Sequence, residues 1–187
     1  MNITIRLARP ADAEAAAPLL IEANGDITKR MTGETDWTKV EQALQVLFQR
    51  EDNLHSYRHT YVAEVDGNVA GIMALYPGDI EEELDQNLNR WLAEKGANNP
   101  EVDPEALPGE LYIDAVCVDP AFRNKGIGTQ LFRYAEEIAQ QTGFTKLSLN
   151  VEIEKEPAIR LYKRLGYEIV SPWTIIGEPF HHMIKIV

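Results

Sequence analysis

The stretch from residue 111 to residue 143 constrains the fold most, because a strand, a glycine-containing turn and a helix follow one another there without a gap. Residues 111–118 are strongly apolar, which predicts a buried strand, and Asp119-Pro120 ends it. Gly126 and Gly128 open the predicted helix, and Gly143 closes it. The apolar residues of this helix recur three and four positions apart on one face: Ile127, Leu131, Ala135 and Ile138. A strand that leads directly into an amphipathic helix indicates a sheet covered by helices.

The rest of the chain adds further strands and helices to this unit. Asp66-Gly67 separates two alternating apolar stretches and predicts a tight type I′ hairpin, because both turn residues accept a positive φ. We expect residues 26–38 to form a loop or a short helix, because Gly33 interrupts them and they are rich in threonine. The other strands are predicted at 2–7, 60–65, 68–76, 146–151, 167–175 and 180–186, and the other helices at 10–24, 38–53 and 157–165. This order predicts an α/β (α+β) fold with a mixed sheet flanked by helices.

The length of 187 residues predicts a single domain over residues 1–187. Within it, residues 79–110 contain ten acidic and two basic residues, a net charge of −8 in a chain of −12. Leu84, Leu88 and Leu92 have helical spacing, while three prolines make the rest of the segment loop-like. We interpret residues 79–110 as an acidic insertion between two strands, packed by one helix. It is a solvated cover, the rim of an acceptor site or a docking surface for a protein.

The composition excludes several classes of partner. The net charge of −12 argues against nucleic-acid binding, which needs a basic face, and it permits a cationic small substrate. One cysteine, Cys117, excludes an internal disulfide framework, and with four histidines no metal site is expected. No apolar stretch reaches the ~18 residues of a membrane span, and residues 1–6 alternate like a strand rather than forming a signal peptide. We therefore expect a cytoplasmic protein that contacts no membrane.

The turn between the strand and the helix has the chemistry of an anion site. Backbone N–H groups at a helix start have no partner within the helix, and the helix dipole favours negative charge there. Between Pro120 and Ala135 there is no acidic residue, whereas Arg123, Lys125 and Arg133 give a charge of +3. These features predict a phosphate-bearing ligand. The Walker A and Rossmann glycine patterns are both missing, which argues against a nucleoside triphosphate or a dinucleotide.

Two ordered motifs resemble the GCN5-related N-acetyltransferase (GNAT) family. The segment Arg123-Asn124-Lys125-Gly126-Ile127-Gly128 fits the family's Arg/Gln-x-x-Gly-x-Gly/Ala loop, and it lies where a strand ending in Val-Asp-Pro turns into a helix. About 30 residues later, residues 157–167 (PAIRLYKRLGY) look like the family's Ala-x-x-Leu-Tyr-x-x-x-Gly-Phe/Tyr element. The resemblance covers residues 110–170 closely. It implies the acyl-CoA N-acyltransferase fold, a strongly twisted, mostly antiparallel mixed sheet.

The resemblance implies acetyl-CoA, or another acyl-CoA, as co-substrate and an acyltransferase as the activity. In this family the pyrophosphate binds the loop amides, and the pantetheine arm lies along the preceding strand. The positions carried over to this chain as cofactor-binding are Val116, Val118, Arg123, Asn124, Lys125, Gly126, Ile127, Gly128 and Thr129. The family transfers the acetyl group directly to an amine in a ternary complex, and a tyrosine protonates the leaving thiolate. Tyr162 matches that tyrosine.

The base that removes the amine proton is left open between two carboxylates. Deprotonating an alkylammonium with a pKa of ~10.4 at pH 7 costs about 4.6 kcal/mol, so a positioned carboxylate assists the attack. Some relatives use a glutamate early in this strand, which favours Glu110 or Asp114 as the base. Simple alternation along the strand predicts one common face for Glu110, Tyr112, Asp114, Val116 and Val118.

These inferences predict an enzyme that acetylates a primary amine, either a small cationic molecule or the amine of a peptide. Two alternatives stay open. One is a non-catalytic acyl-CoA-binding or regulatory module on the same scaffold. The other is a protein N-acetyltransferase that docks its substrate on the acidic insertion. An exposed final strand pair at a sheet edge could also join two copies into a homodimer.

Overall fold

Seven strands and six α-helices, with four short 3-10 helices and the connecting loops, make up residues 2–187, the part of the chain that the computed structural model describes. The strands are β1 (Ile3–Leu7), β2 (Thr60–Val65), β3 (Asn68–Pro77), β4 (Leu111–Val118), β5 (Lys146–Glu152), β6 (Glu168–Ile175) and β7 (Glu178–Ile186). The helices are α1 (Ala13–Asn24), α2 (Ile27–Thr32), α3 (Trp37–Gln49), α4 (Glu81–Glu94), α5 (Ile127–Thr142) and α6 (Glu156–Arg164). This order of elements confirms the predicted fold class.

All strands belong to one sheet in the order β1-β2-β3-β4-β5-β7-β6. Neighbouring strands run antiparallel except β4 and β5, which are parallel. Within the described residues, β4 and β5 pair only through Leu111 with Leu147 and Tyr112 with Ser148. Beyond these two pairs the strands diverge. The sheet therefore opens at its centre, on the carboxyl-terminal side of β4.

Helices cover both faces of the sheet. On one face, α5 packs through Ile127, Leu131 and Ala135, and α6 adds Ile159 beside it. On the other face, α1 and α3 pack on the β2–β4 region, with Leu20 and Leu44 fully buried. Burying one such leucine contributes roughly 1.5–3 kcal/mol, so these two layers hold the open sheet together. No helix in residues 2–187 combines the length and the apolar character needed to cross a membrane.

Local sequence signals place most turns and helix ends correctly. Asp66 and Gly67 have φ values of 51° and 80°, as the predicted type I′ hairpin between β2 and β3 requires. Residues 27–32 form the short helix α2, which ends at Gly33 with a φ of 69°. The helix predicted to reach residue 53 ends at Gln49 instead. A local contact accompanies this early end, because the side-chain amide of Asn53 donates to the carbonyl of Leu47 at 2.9 Å and the chain folds back over the last turn of α3.

The acidic insertion packs into the protein through α4. Leu84, Leu88 and Leu92 contact a cluster that includes Tyr76 of β3 and Tyr112 of β4. Three of its acids, those at positions 81, 105 and 110, are buried, so this segment is more than a solvated cover.

A β-bulge interrupts β4 at Asp114. Ala115 pairs with Ala74 of β3 and Ile113 pairs with Leu75, so Asp114 is an extra residue with no partner of its own across this ladder. A bulge of this kind shifts the alternation of side chains along the strand.

The bulge makes the expected common face of β4 wrong. Tyr112, before the bulge, packs in the cluster beneath α4, whereas Val116 and Val118, after it, pack on the opposite face with α5. One inserted residue reverses which face each side chain takes, and no sequence pattern marked its position.

Candidate active site

The glycine-containing loop encloses a cavity of about 400 Å³ between β4, the start of α5 and α6. Eight of the nine residues predicted to bind the cofactor line it: Val116, Val118, Arg123, Asn124, Gly126, Ile127, Gly128 and Thr129. Lys125 does not line this cavity, which we call the donor cavity after the acyl donor that the family resemblance implies. Its ammonium donates to the carbonyl of Ala121 at 3.2 Å and lies 5.1 Å from the ring centre of Phe122.

The backbone of the loop is shaped to present N–H groups to the donor cavity. Asn124 and Gly126 have φ values of 60° and 80°, in the left-handed region. The first α-helical hydrogen bond runs from the amide of Gln130 to the carbonyl of Gly126 and measures 3.1 Å. The amides of Ile127, Gly128 and Thr129 therefore have no acceptor within the helix. Unpaired amides at a helix N-terminus bind anions, which suits this loop to a pyrophosphate.

The Arg123 side chain turns away from the loop amides. Its Nε donates to the carbonyl of Val118 at 3.0 Å, and its Nη2 forms an ion pair with Glu22 of α1. The guanidinium therefore joins the loop to α1 across the end of β4. Its charge still lies at the rim of the donor cavity, which Arg123 lines.

The divergence of β4 from β5 leaves one edge of β4 open beside the donor cavity. Val116 pairs with Met73 and Val118 pairs with Gly71, both on the β3 side. On the other side, the register between β4 and β5 ends at Tyr112. An extended ligand can add to such an edge like a strand. This geometry suits the pantetheine arm that the family resemblance implies along Val116 and Val118.

Tyr162 of α6 lies between the donor cavity and a second, inner cavity of about 100 Å³, because it lines both. Its ring packs edge-to-face on Phe132, with 5.8 Å between the ring centres. Burial raises the pKa of the Tyr162 hydroxyl above its ordinary value. The hydroxyl therefore keeps its proton at neutral pH and can donate it.

Asp114 lines the inner cavity together with Val116 and Tyr162. Its Oδ2 atom is buried and has no hydrogen-bond partner among the described residues. Burial, and then the charge of Glu81, raises the pKa of Asp114 to about 7. A carboxylate with that pKa exchanges protons readily at neutral pH, which suits a general base.

Glu110, the other predicted base, lies outside this set of cavity-lining residues. It is buried, and its Oε2 lies 3.0 Å from Nε2 of His182 on β7. The other ring nitrogen of His182 lies 2.7 Å from Oδ1 of Asn150, whose amide group donates to the carbonyl of Glu105 at 2.8 Å. Because Oδ1 can only accept, Nδ1 of His182 donates this hydrogen bond.

The inner cavity also contains Glu105, which sequence reasoning did not select. Glu105 comes from the acidic insertion, and its Oε2 accepts from the Tyr112 hydroxyl at 2.8 Å. Burial, followed by the charge of Asp114, raises the pKa of Glu105 well above its ordinary value. Nothing in the local sequence separates Glu105 from the nine other acids of its segment, because only packing brings it beside Asp114.

An outer cavity of about 340 Å³ continues from the inner one, and both are lined by Asn24, Ile27 and Lys155. Five carboxylates and one lysine line it: Glu22, Asp26, Glu152, Glu154, Glu178 and Lys155. Three of the carboxylates are already in ion pairs, with Arg123, Lys29 and Lys155. The acids of this outer cavity come from α1, the turn before α2, the region from β5 to α6, and β7. The insertion supplies none of them.

Comparisons with known proteins agree with this geometry. The model of the acetyltransferase (GNAT) family matches residues 26–167. A crystal structure described as an acetyltransferase is 31% identical with a TM-score of 0.79, and the match covers 98% of this chain and 99% of that chain. An N-acetyltransferase from Staphylococcus aureus Mu50 is 26% identical with a TM-score of 0.80, covering 97% and 99%.

Among curated proteins, an uncharacterised N-acetyltransferase of Methanocaldococcus jannaschii is 44% identical over 64 residues. That match covers 33% of this chain and only 28% of the relative. The family match spans both motifs on which the sequence-based resemblance rested, and that prediction is confirmed. The chain belongs to the acetyltransferase (GNAT) family.

Proposed function

We propose that the protein transfers an acetyl group from acetyl-CoA to a primary amine. The observation that carries this proposal is the position of Tyr162, which lines both the donor cavity and the inner cavity that holds Asp114. A thioester entering from one side and an amine entering from the other would meet at this tyrosine. Membership in the GNAT family supports acetyl-CoA as the donor.

The donor would bind through the loop and the open strand edge. The amides of Ile127, Gly128 and Thr129 would hold the pyrophosphate, helped by the α5 dipole. The pantetheine arm would pair with the free edge of β4 at Val116 and Val118. The cavity between β4 and α6 then directs the thioester towards Tyr162.

The proposed reaction uses Asp114 as base and Tyr162 as acid. The acceptor ammonium gives one proton to the Asp114 carboxylate, and its nitrogen lone pair attacks the thioester carbonyl. The C–N bond forms and the C–S bond breaks as Tyr162 protonates the departing thiolate. The second nitrogen proton returns to the Tyr162 phenolate, and Asp114 releases its proton to water. Glu110 would act only through His182, since it does not line the inner cavity.

We propose a cationic amine as the acceptor. It would enter through the outer cavity, where Glu154 and Glu178 form no ion pair with any described residue. Carboxylates that line a concave entrance raise the local concentration of cations. A small molecule with a second positive charge, such as a polyamine, therefore suits this entrance better than a neutral or anionic amine.

The Tyr162→Phe variant tests the proposed function. We expect it to lose about 10²–10⁴-fold in turnover because the thiolate would lack its proton donor. Affinity for acetyl-CoA, measured by calorimetry, should stay close to that of the original protein. Tyr57→Phe is the matched control, since its hydroxyl donates to exposed Glu51 and Tyr57 lines none of the three cavities.

Thiol release with a panel of amines provides the assay. Turnover of polyamines above neutral and anionic amines would support the proposed acceptor class. Binding of acetyl-CoA without acetylation of any amine would favour the non-catalytic acyl-CoA-binding module instead. Acetylation of peptide amines alone would favour a protein N-acetyltransferase.

Two further proposals concern the setting of the protein. A cytoplasmic location is proposed because Cys117 is a buried free thiol, which a reducing compartment preserves. A homodimer is proposed through β6, an outer strand of the sheet, whose Ile169 and Val170 are 40% and 54% exposed. Sedimentation analysis would measure the oligomeric state directly.

A further inference from the structure

Three carboxyl groups line the inner cavity, those of Glu105, Asp114 and Glu152. Glu152 pairs with Lys155, whereas Glu105 and Asp114 come from distant parts of the chain and form no ion pair among the described residues. Asp114 is the bulge residue of β4, and Glu105 comes from the acidic insertion. The general features of an N-acetyltransferase account for the donor cavity and for Tyr162. They give no reason for a second carboxyl group at the point where the acceptor must bind.

Glu105 is held in this position by a set of hydrogen bonds. Its backbone amide donates to Oε1 of Glu81 at 2.7 Å, and its carbonyl accepts from the Asn150 amide at 2.8 Å. Its side chain accepts from the Tyr112 hydroxyl at 2.8 Å. Glu105 is only 6% exposed. Its carboxyl group is therefore fixed at the wall of the cavity rather than free to turn to solvent.

The two carboxyl groups lack a basic partner. The Oδ2 atom of Asp114 is buried without any hydrogen-bond donor among the described residues. Lys155 is a cation that also lines the inner cavity, but its ammonium pairs with Glu152 at 3.1 Å. A buried carboxylate is costly without a cation or several donors. Without a bound cation, the carboxyl groups of Asp114 and Glu105 therefore have no positive charge beside them to stabilise their ionised forms.

We propose that Glu105 and Asp114 together bind the ammonium group of the acceptor, which makes Glu105 a specificity-determining residue. This inference rests on the proposed function, because it takes the inner cavity to be the acceptor site. An alkylammonium has three N–H donors, enough to reach both carboxylates. The cavity of about 100 Å³ accommodates a small head group, while the remainder of the acceptor extends into the outer cavity.

This arrangement assigns a role to the acidic insertion. Asp114 would take the proton that the amine must lose. A bound ammonium would offset the burial that raises the pKa of Glu105 and so favour its ionised form beside the amine. The insertion would thus provide half of the ammonium site. An acceptor with a hydroxyl in place of the ammonium would leave both carboxyl groups without a cation and should bind poorly.

Direct binding measurements test the proposal without turnover. Butane-1,4-diamine and its neutral analogue butane-1,4-diol are titrated by calorimetry into the CoA-loaded protein and into its Glu105→Gln variant. Glutamine retains the size of the side chain and an acceptor for Tyr112, so the variant should fold. We expect the diamine to bind at least 10-fold more weakly to Glu105→Gln, while the diol binds poorly to both. Glu101→Gln, at an exposed position of the same segment, is the control and should match the original protein.

Two results would overturn the inference: equal affinity of the diamine for the original protein and Glu105→Gln, or an equal loss in Glu101→Gln. If Glu105→Gln fails to fold by circular dichroism, Glu105→Asp replaces it. The shorter carboxylate should weaken diamine binding, and unchanged binding would contradict the proposal. Failure of the proposed function is separate: acetylation with an unchanged KM in Glu105→Gln refutes only this inference. Loss of diamine binding without acetylation of any amine refutes only the function.

Discussion

At the scale of single residues, burial decides which carboxylate can exchange protons with an acceptor. Asp114 and Glu110 are both acids of the same strand region, and the sequence left them as alternatives. In the structure, Asp114 lines the inner cavity with one oxygen unpartnered, while Glu110 contacts His182. The difference arises from the bulge and from β7, which the sequence near these acids does not reveal.

The first residue-scale prediction concerns Asp114→Asn. Because the pKa of Asp114 is raised to about 7, kcat/KM of the original protein should rise as pH increases through 7 and the carboxylate forms. It should fall again as the acceptor ammonium loses its own proton near a pKa of ~10.4. Asp114→Asn should lose the rising limb and about 10²–10⁴-fold in kcat/KM. A pH–rate profile measures both, and an unchanged limb in the variant would remove Asp114 as the base.

At the scale of elements, the N-terminus of α5 has a geometry that favours anion binding. Gly126 needs its left-handed φ of 80°, as the sequence suggested for a turn glycine. Gly128 has a different reason to be glycine. A Cβ added there would meet only Val118 Cγ2, at 3.8 Å, so the protein itself leaves room for a side chain. The free space beside the Gly128 Cα is part of the donor cavity, which Gly128 lines.

Gly128→Ala should therefore separate stability from binding. Alanine in a helix gains up to ~1 kcal/mol over glycine, so the free energy of unfolding should rise or stay constant. The added methyl group should weaken acetyl-CoA binding by about 1.4 kcal/mol, or ~10-fold, in calorimetry. Gly143→Ala, at the other end of α5 with a φ of 81°, is the control. It should lose stability through backbone strain and keep its acetyl-CoA affinity, and equal binding by both variants would exclude a ligand close to Gly128.

The second prediction at this scale concerns Asp85, a partly buried acid of α4. Burial, and then the charges of Glu81 and Asp114, raises the pKa of Asp85 to about 8. Since the folded state holds this proton more tightly than the unfolded state, Asp85 reduces stability progressively as pH rises from about 4 to about 8. Asp85→Asn should thus be more stable than the original protein at pH 8, by at least ~1 kcal/mol, with a much smaller difference at pH 4. Urea unfolding at both pH values measures this, with exposed Glu82→Gln as control. A difference independent of pH would contradict the assignment.

At the scale of the whole molecule, the parting of β4 and β5 divides the sheet into two groups of strands joined by two residue pairs. The donor cavity spans this division, since β4 and the α5 loop lie on one side and Tyr162 of α6 lies on the other. A ligand bound there would bridge the two groups. Ligand binding should therefore stabilise the whole sheet and not only the loop.

Hydrogen–deuterium exchange with acetyl-CoA tests this bridging. Amides at the end of β4, at the start of α5 and in α6 should all exchange more slowly in the complex. At a ligand concentration of 100 times Kd, the free energy of unfolding should rise by about 2.7 kcal/mol. Adenosine diphosphate, which carries only the pyrophosphate end, should protect the loop and leave α6 unchanged. Protection confined to the loop with acetyl-CoA as well would contradict the bridging geometry.

Sequence by itself determined the order of strands and helices, the β2–β3 hairpin and the turn at Gly126. These features depend on periodicity and on backbone φ preferences, which act between residues close in the chain. It also indicated the family, because both motifs are contiguous. Only the tertiary structure decided that Asp114 is a bulge residue and that Glu105 lies beside it. The contact from Asn150 to Glu105 spans 45 positions and that from His182 to Glu110 spans 72. Burial and electrostatic environment arise from such distant contacts, so local sequence patterns carry no record of them.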